Sequence, residues 1–544
     1  MSNRKGFTAN NRDTGAVVSL TGIFLYFLLN FIASVILGRN AGISMYAFTA
    51  VGEAIALYIY IVCAMIIPAA SARVIIRYAD RGDVKTVGEL RRRIPRTCAV
   101  IGTGLGAVIA AAAGTLAERA VSGSILYASP LKTSLYLIAL CAILQFMLAG
   151  LRGFYQAFKS PGFTARLLSL EQLIRFLVGT VTSLIAVRLM HADGSVIMIC
   201  FAAGHLISCA ATFILYLRYD KEHIAPFLRE ERLAEGTPQS SSRLASEIAR
   251  YVLPYVICLV MFGAVILTDM VSFSGLAVAN GMNSEKAFVL FGIRWIDTLL
   301  LFVLPVVFVF VVFRRRSYVS QILYHTDDRT WLHTFIPEMT ETLALLLLPL
   351  MMISFSLAGQ LFTSVYGQAS SSYGEMIFLW FAPVPFFMLM AVITTAVMLN
   401  TRLKKEAFFY LLIGILFKCL IMFLGFGRLG YQVSVISSLA AYIVVYYLNM
   451  AKMHNRFALS FGPTFKRILR IILACLAMNG IIAGLKLVNA TAEIVDAADA
   501  AWLTFGYIAA ALIGYGWLTT MLMLPDRILH SGWLRLIGVG KGKS

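Results

Sequence analysis

Apolar runs of about twenty residues, separated by short polar stretches, recur along nearly the whole chain. A helix needs about 20 such residues to cross the roughly 30 Å hydrocarbon core of a bilayer. A transmembrane β-barrel would show shorter segments of alternating polarity. The pattern therefore predicts an all-α polytopic membrane protein. The runs place helices near residues 17–37, 45–68, 97–116, 134–151, 169–187, 196–216, 252–276, 287–312, 341–361, 376–399, 407–426, 431–450, 468–486 and 502–523. About fourteen spans put both termini on one side. The first run, Val17 to Leu37, follows basic residues but is long for a signal-peptide core, and no small-residue cleavage site follows it, so it reads as a span.

Composition agrees. Of 544 residues, 60% are hydrophobic and only 13% charged, with mean hydropathy +0.82, too little charge to cover a soluble domain of this size. The net charge of +19 raises the possibility of a nucleic-acid partner, but its placement excludes one: the basic residues lie between apolar runs and form no separate basic domain. With the N-terminus inside, and with Arg470 and Lys486 at the edges of the span 468–486 counted with the loops they border, the loops and tails on the cytoplasmic side hold 36 of the 46 Lys and Arg, the external loops hold seven, and three (Arg175, Arg294, Lys418) lie well within spans. The inside set includes Arg91-Arg92-Arg93, Arg314-Arg315-Arg316 and Lys404-Lys405. Positive residues favour the inside, so the asymmetry supports an N-in, C-in orientation.

The longest polar segment, Arg218 to Arg250, contains Gly236-Thr-Pro-Gln-Ser-Ser-Ser242 and reads as a flexible cytoplasmic linker. It suggests a division into an N-terminal lobe (1–216), a linker (217–250), a C-terminal lobe (251–450) and a final pair of spans with a tail (451–544). Leu167-Leu168 followed by Arg175, and Leu411-Leu412 followed by Lys418, form a faint echo between the fifth and eleventh spans. Repeated halves of this kind are common in transporters.

Charge inside the spans is the most informative feature, because each such side chain costs a few kcal/mol to insert and needs a partner, a polar cavity or a task. The candidates are Glu53, Glu171, Arg175, Asp269, Arg294, Asp297 and Lys418, with Arg73 and Arg152 at helix ends. Glu171 and Arg175 are spaced i,i+4, and Arg294 and Asp297 i,i+3, so each pair could neutralise itself on one helix face; equally, each could serve a ligand. Lys418 has no acid within a turn of its own helix. Asp269 and Glu53 admit two readings, a cation or proton site or an interhelical ion pair, with Lys418 or Arg294 as partners for Asp269. His205 could titrate near neutrality or be a hydrogen-bonded core histidine. Arg73 and Arg152 could snorkel to lipid phosphates.

Nothing in the sequence suggests an enzyme. There is no paired nucleophile and base, no GxxxxGK[ST] loop and no attached ATP-binding domain. The eight cysteines lie in or beside apolar runs without metal-ligand spacing. Transport is the reading that remains.

Within this frame, Leu151-Arg-Gly-Phe-Tyr-Gln156, then Thr164-Ala165, then Glu171-Gln172-x-x-Arg175 resembles the segment joining spans four and five in the stage V sporulation protein B / polysaccharide biosynthesis protein family. That family belongs to the multidrug, oligosaccharidyl-lipid and polysaccharide exporter superfamily, which includes the bacterial lipid II flippases. Leu37-Gly38-x-x-x-Gly42, Pro68-x-Ala70-x-x-Arg73, Asp269, and Leu411-Leu-Ile-Gly414 with Lys418 agree with it in order and spacing, so the resemblance covers roughly residues 15–460. Span one departs from the pattern in carrying no basic residue, only Thr21, Asn30 and Ser34; Pro161 comes two residues early, and Arg294 is shifted by about two positions.

The resemblance implies two six-helix lobes in a V plus two C-terminal helices, around a cavity that opens alternately to each side. It implies a flippase for an undecaprenyl-diphosphate-linked glycan, lipid II or a related polysaccharide unit, in the bacterial cytoplasmic membrane. A diphosphate requires cationic partners in a low-dielectric cavity. Arg73, Arg152, Arg175, Arg294 and Lys418 are the expected diphosphate contacts, and Asp269, Glu53, Glu171 and Asp297 the expected counter-ion or ion-coupling groups. No cofactor is expected beyond a coupling cation, Na+ or H+, or the membrane potential, worth about 2.3 kcal/mol per charge per 100 mV. The expected partners are the lipid-linked oligosaccharide, membrane lipids and cell-wall synthesis proteins. Two rivals stand beside this reading: a cation-coupled multidrug exporter of the same superfamily, and a non-transporting scaffold for cell-wall or spore assembly.

Overall fold

In a computed structural model, the described residues are 10–121, 125–158, 161–294, 331–366, 379–401, 403–489 and 497–529, and among them the regular structure is helical throughout. The first unit contains α1 (Asn10–Ala41), α2 (Ile43–Ala47), α3 (Ala50–Ile61), α4 (Ile67–Asp80), α5 (Val84–Val121), α6 (Ile125–Phe158), α7 (Pro161–Leu184), α8 (Val196–His223), α9 (Ala225–Leu233), α10 (Ser241–Ala279) and α11 (284–294). The second contains α12 (Trp331–Ser356), α13 (Ala358–Tyr366), α14 (Val384–Asn400), α15 (Lys404–Leu429), α16 (Val433–Phe457), α17 (Gly462–Val488), α18 (Ala497–Met521) and α19 (Leu524–Leu529).

Twelve stretches among the described residues are long and apolar enough to cross a membrane, and one of them, Lys404–Phe457, holds both α15 and α16 around a single 3-10 turn. Most of the expected span at 287–312, with Asp297 and the Arg314–Arg316 run, lies outside the described residues. Gly42 ends α1 at φ 97°, a conformation that suits glycine, and provides the turn expected after the first span.

In the first unit α5 runs along α6, α7 along α8, α1 along α7, and α4 along α6. The α5–α6 contact depends on two glycines one turn apart. A Cβ on Gly102 would lie 2.7 Å from that of Phe146, and one on Gly106 2.7 Å from the Ala139 carbonyl oxygen. Small residues at this spacing let two membrane helices approach until their backbones touch. In the second unit α15 packs on α16, α14 on α16, α12 on α17 and α17 on α18.

Two polar stretches differ from the expectation. Arg91-Arg92-Arg93 is not a loop but part of α5, which begins at Val84. Within α5, Glu89 pairs with Arg93 at i,i+4; Asp220 of α8 pairs with Arg91 at 2.5 Å, and Glu231 of α9 with Arg92 at 2.8 Å, so the charged extension is held as helix. Arg218–Arg250, read as a linker, is helical apart from residues 224 and 234–240. It continues α8 to His223, forms α9, and re-enters helix at Ser241, with Phe227 packed edge-on to Phe154 and the Gln239 N–H donating to Thr86 Oγ1 at 3.0 Å.

Candidate functional site

The charged residues of the first unit form two buried networks that share helix α7. Glu171 and Arg175, one turn apart, do not pair with each other. Glu171 pairs with Arg152 of α6, and Arg175 with Glu53 of α3 at 3.3 Å. The self-neutralising reading of the i,i+4 spacing is therefore corrected. Each side chain finds a better-placed partner on a neighbouring helix, and four charges on three helices lie with side chains no more than 2% exposed.

Around Glu53, one carboxylate oxygen accepts from the Tyr26 hydroxyl at 2.7 Å and from Asn30 Nδ2 at 3.1 Å, and the other contacts His205 Nε2 at 2.9 Å. Arg175 also donates to Asn30 Oδ1 at 2.7 Å and to Gln172 Oε1 at 2.9 Å, with its guanidinium 4.3 Å above the Tyr26 ring. A buried charge needs both an opposite charge and filled hydrogen-bonding positions, and α1, α3, α7 and α8 supply both. His205 is thus a core histidine bonded to a carboxylate. Asn30, noted only as a polar residue in a span without cations, bridges the acid and the base.

Around Glu171, Gln145 Nε2 donates to Oε1 at 2.5 Å and lies 2.9 Å from Cys209 Sγ, while Arg152 donates to Gln145 Oε1 at 3.1 Å and to the Cys63 carbonyl at 3.3 Å. That carbonyl is available for a reason legible in the chain. Pro68 has no N–H to give, the helix widens into a π turn over Val62–Ile66, and the Ile67 N–H donates back to Val62. The Cys63 oxygen then accepts from Arg152. The Pro68 and Leu151-Arg152-Gly motifs, far apart in sequence, meet here.

Elsewhere in the first unit, Asp269 of α10 pairs with Arg294 of α11, both buried. Of its two expected partners, Arg294 is the one found. Arg73 of α4 is half-buried, its guanidinium 4.6 Å over the Tyr251 ring of α10. Three buried arginines of the unit, Arg152, Arg175 and Arg294, thus pair with three buried carboxylates, Glu171, Glu53 and Asp269.

In the second unit Lys418 is fully buried on α15, and its ammonium donates to Ser438 Oγ at 2.7 Å, the Ser434 carbonyl at 3.2 Å and Ser437 Oγ at 3.4 Å, all on α16. The Ser434-x-x-Ser437-Ser438 cluster was legible as polar residues inside an apolar run. Two polar pairs went unnoticed in the sequence. Glu341 of α12 pairs with Arg467 of α17 at 2.6 Å, and Asn449 of α16 donates to Thr395 Oγ1 at 2.9 Å and Thr394 Oγ1 at 3.1 Å. Glu341 and Arg467 stand at span edges, where a charge reads as ordinary.

Arg152, Arg175, Glu53 and Glu171 are thus brought together; Arg294 with Asp269 forms a separate pair in the same unit, Arg73 stacks on Tyr251, Lys418 lies in the other unit, and Asp297 is outside the described residues.

No protein-family model and no curated protein matches the sequence. Solved structures do match. The lipid II flippase MurJ in an inward closed conformation superposes with TM-score 0.64 at 14% identity, over 94% of this chain and 99% of that one. A multidrug resistance MATE family transporter of the MOP superfamily, outward-facing, gives 0.54 at 12% identity over 82% and 95%. A MATE protein in the straight conformation gives 0.53 at 13% over 81% and 95%. The chain is a multi-pass helical membrane protein with the fold seen in these structures.

Proposed function

We propose that this protein is an alternating-access transporter of the bacterial cytoplasmic membrane that flips an undecaprenyl-diphosphate-linked glycan precursor, lipid II or a related polysaccharide unit. The observation that carries this reading is the extent of the structural likeness. The flippase structure covers 94% of the chain, whereas the MATE structures reach 81–84%. The proposed topology is fourteen spans with both termini inside, as the distribution of basic residues suggests.

The geometry refines the roles proposed for the charged residues. Arg73, Arg152, Arg175, Arg294 and Lys418 remain the proposed diphosphate contacts. Arg152, Arg175 and Arg294 are neutralised by carboxylates, so an anion reaches them only when Glu171, Glu53 or Asp269 is protonated, binds a cation or moves away. That exchange is the proposed coupling step, with H+ or Na+ as the coupling ion. Glu53 is the best-placed group for it, since His205 and Tyr26 border the same carboxylate.

The test is complementation of a strain depleted of its lipid II flippase, with Arg175→Ala and Lys418→Ala alongside. Rescue by the wild type, lost in both variants at equal membrane abundance, supports the proposal. A well-expressed wild type that fails to rescue sinks the lipid II form of it. The second reading, a cation-coupled multidrug exporter, draws on the MATE likeness; it predicts raised tolerance to hydrophobic cations in the same strains and no rescue. Rescue that survives both substitutions would remove Arg175 and Lys418 from the substrate path, while a scaffold, which moves nothing across the membrane, would not rescue at all.

A further inference from the structure

Within the first unit, α3, α4, α5 and α10 enclose a cavity of about 910 Å³, separate from the ion-pair networks and lined almost wholly by aliphatic side chains. It stands near the top of the roughly 300–1,000 Å³ range of small-ligand sites. Its walls are open at the side: Ile101 on α5 and Leu253 and Val260 on α10 are each more than half exposed although they line it. In a membrane-spanning unit, an apolar groove open at the side faces hydrocarbon. The lining along α5 runs from Leu90 to Leu116, roughly 39 Å at about 1.5 Å per residue, enough to cross the hydrocarbon core of roughly 30 Å and bring Arg93 to the headgroup region.

The two ends of the groove differ. One is bordered by Leu116 and Met270, the other by Arg93, Thr97 and Ser242. The Nε of Arg93 donates to Glu89, and its side chain is 48% exposed. A guanidinium presenting paired N–H groups recognises a phosphate oxygen pair. One cationic, hydroxyl-rich end and one wholly apolar end fit a single orientation of an amphiphile.

We infer that this groove is a binding site for a phosphate-headed diacyl lipid, its tail between α5 and α10 and its headgroup at Arg93. The lipid comes from the leaflet on the Arg93 side and enters sideways, because the bilayer itself supplies it. The inference does not depend on which substrate the protein carries.

The experiment uses the purified full chain in nanodiscs doped with phosphatidylglycerol carrying a diazirine in one acyl chain, or with the phosphatidylcholine counterpart. After irradiation, adducts are mapped by peptide mass spectrometry. Adducts should concentrate on peptides carrying residues 101–109 and 252–267 over the lipid-facing surface of α15 and α17. Phosphatidylglycerol should exceed phosphatidylcholine there by about fivefold, the equivalent of about 1 kcal/mol for one arginine near an anionic headgroup. Arg93→Gln, which leaves the groove intact, should erase that preference. Ala249→Trp and Val256→Trp should remove the adducts while thermal melting stays that of the wild type. Adducts spread evenly over all lipid-facing helices, or insensitive to both tryptophans, would overturn the site. Displacement of the phosphatidylglycerol adducts by an equal amount of undecaprenyl phosphate would overturn the choice of lipid and reassign the groove to a polyprenyl tail.

Discussion

Replacing Arg152 by Met tests the crossed pairing around α7. The side chains of Arg152 and Glu171 are 0% and 1% exposed, so the substitution strands a carboxylate in the interior with only Gln145 and Cys209 to solvate it. Breaking a buried pair by removing one partner costs about 3–5 kcal/mol. Removing both charges, as Arg152→Met with Glu171→Leu, abolishes that penalty but orphans the Gln145 amide, at about 1–3 kcal/mol. The double variant should therefore be more stable than either single one. The control is Glu171→Leu with Arg175→Met. In the structure these residues belong to different pairs, so their effects should add, each substitution stranding its own partner, Arg152 and Glu53. The assay is reversible unfolding of the purified chain in mixed micelles with increasing SDS, followed by far-UV circular dichroism. If Glu171 and Arg175 rescue each other while Arg152 and Glu171 simply add, the intrahelical pair is the real one and the network described here is wrong.

Two further predictions concern packing and the second unit. Gly106→Leu would drive a side chain into the Ala139 carbonyl, whereas Gly104 has open space around it, so Gly106→Leu should lower the monodisperse yield in size-exclusion chromatography and Gly104→Leu should not. Lys418→Met removes the donor that Ser438 Oγ and the Ser434 carbonyl accept from, so stability should fall by about 1–3 kcal/mol in the same SDS assay; an unchanged midpoint would show that these bonds add nothing to stability.

The apolar periodicity was enough to place every expected span that falls within the described residues, because hydrocarbon imposes one requirement, a long run of unbroken helix, and that requirement is local in sequence. Helix ends were less legible. The apolar run of α5 begins near residue 97, but the helix starts at Val84 because Asp220 and Glu231, more than a hundred residues downstream, neutralise its arginines. The same limit applies to the site. Glu53, Glu171, Arg152 and Arg175 stood out as charges in apolar surroundings, but spacing along one helix suggested the wrong partner for Glu171. Which carboxylate meets which guanidinium is set by helix packing, and a residue such as Gln145 gains importance only once α6 and α7 are side by side. The resemblance singled out the Pro68 and Leu151-Arg152 motifs separately, and only the packing shows that the π turn brings them into contact.

The one-to-one pairing of Arg152, Arg175 and Arg294 with carboxylates bears directly on how such a protein would work. Three guanidiniums held by three carboxylates present no net charge to an incoming anion, so they do not by themselves attract a diphosphate. They become attractive when a carboxylate takes up a proton or a metal cation, because the guanidinium it releases then lacks a counter-ion in a medium where that deficit is costly. Anion binding at Arg175 and cation binding at Glu53 would thereby favour each other, and linkage requires the effect to be reciprocal. A substitution that fixes Glu53 as neutral, Glu53→Gln, should then leave anion affinity high but independent of pH and Na+, whereas the wild type's affinity should vary with one of them. Equilibrium binding of a short-chain prenyl diphosphate to the purified protein separates the two outcomes. Equal dependence in both proteins would remove Glu53 from the coupling and leave it as scaffolding for Arg175.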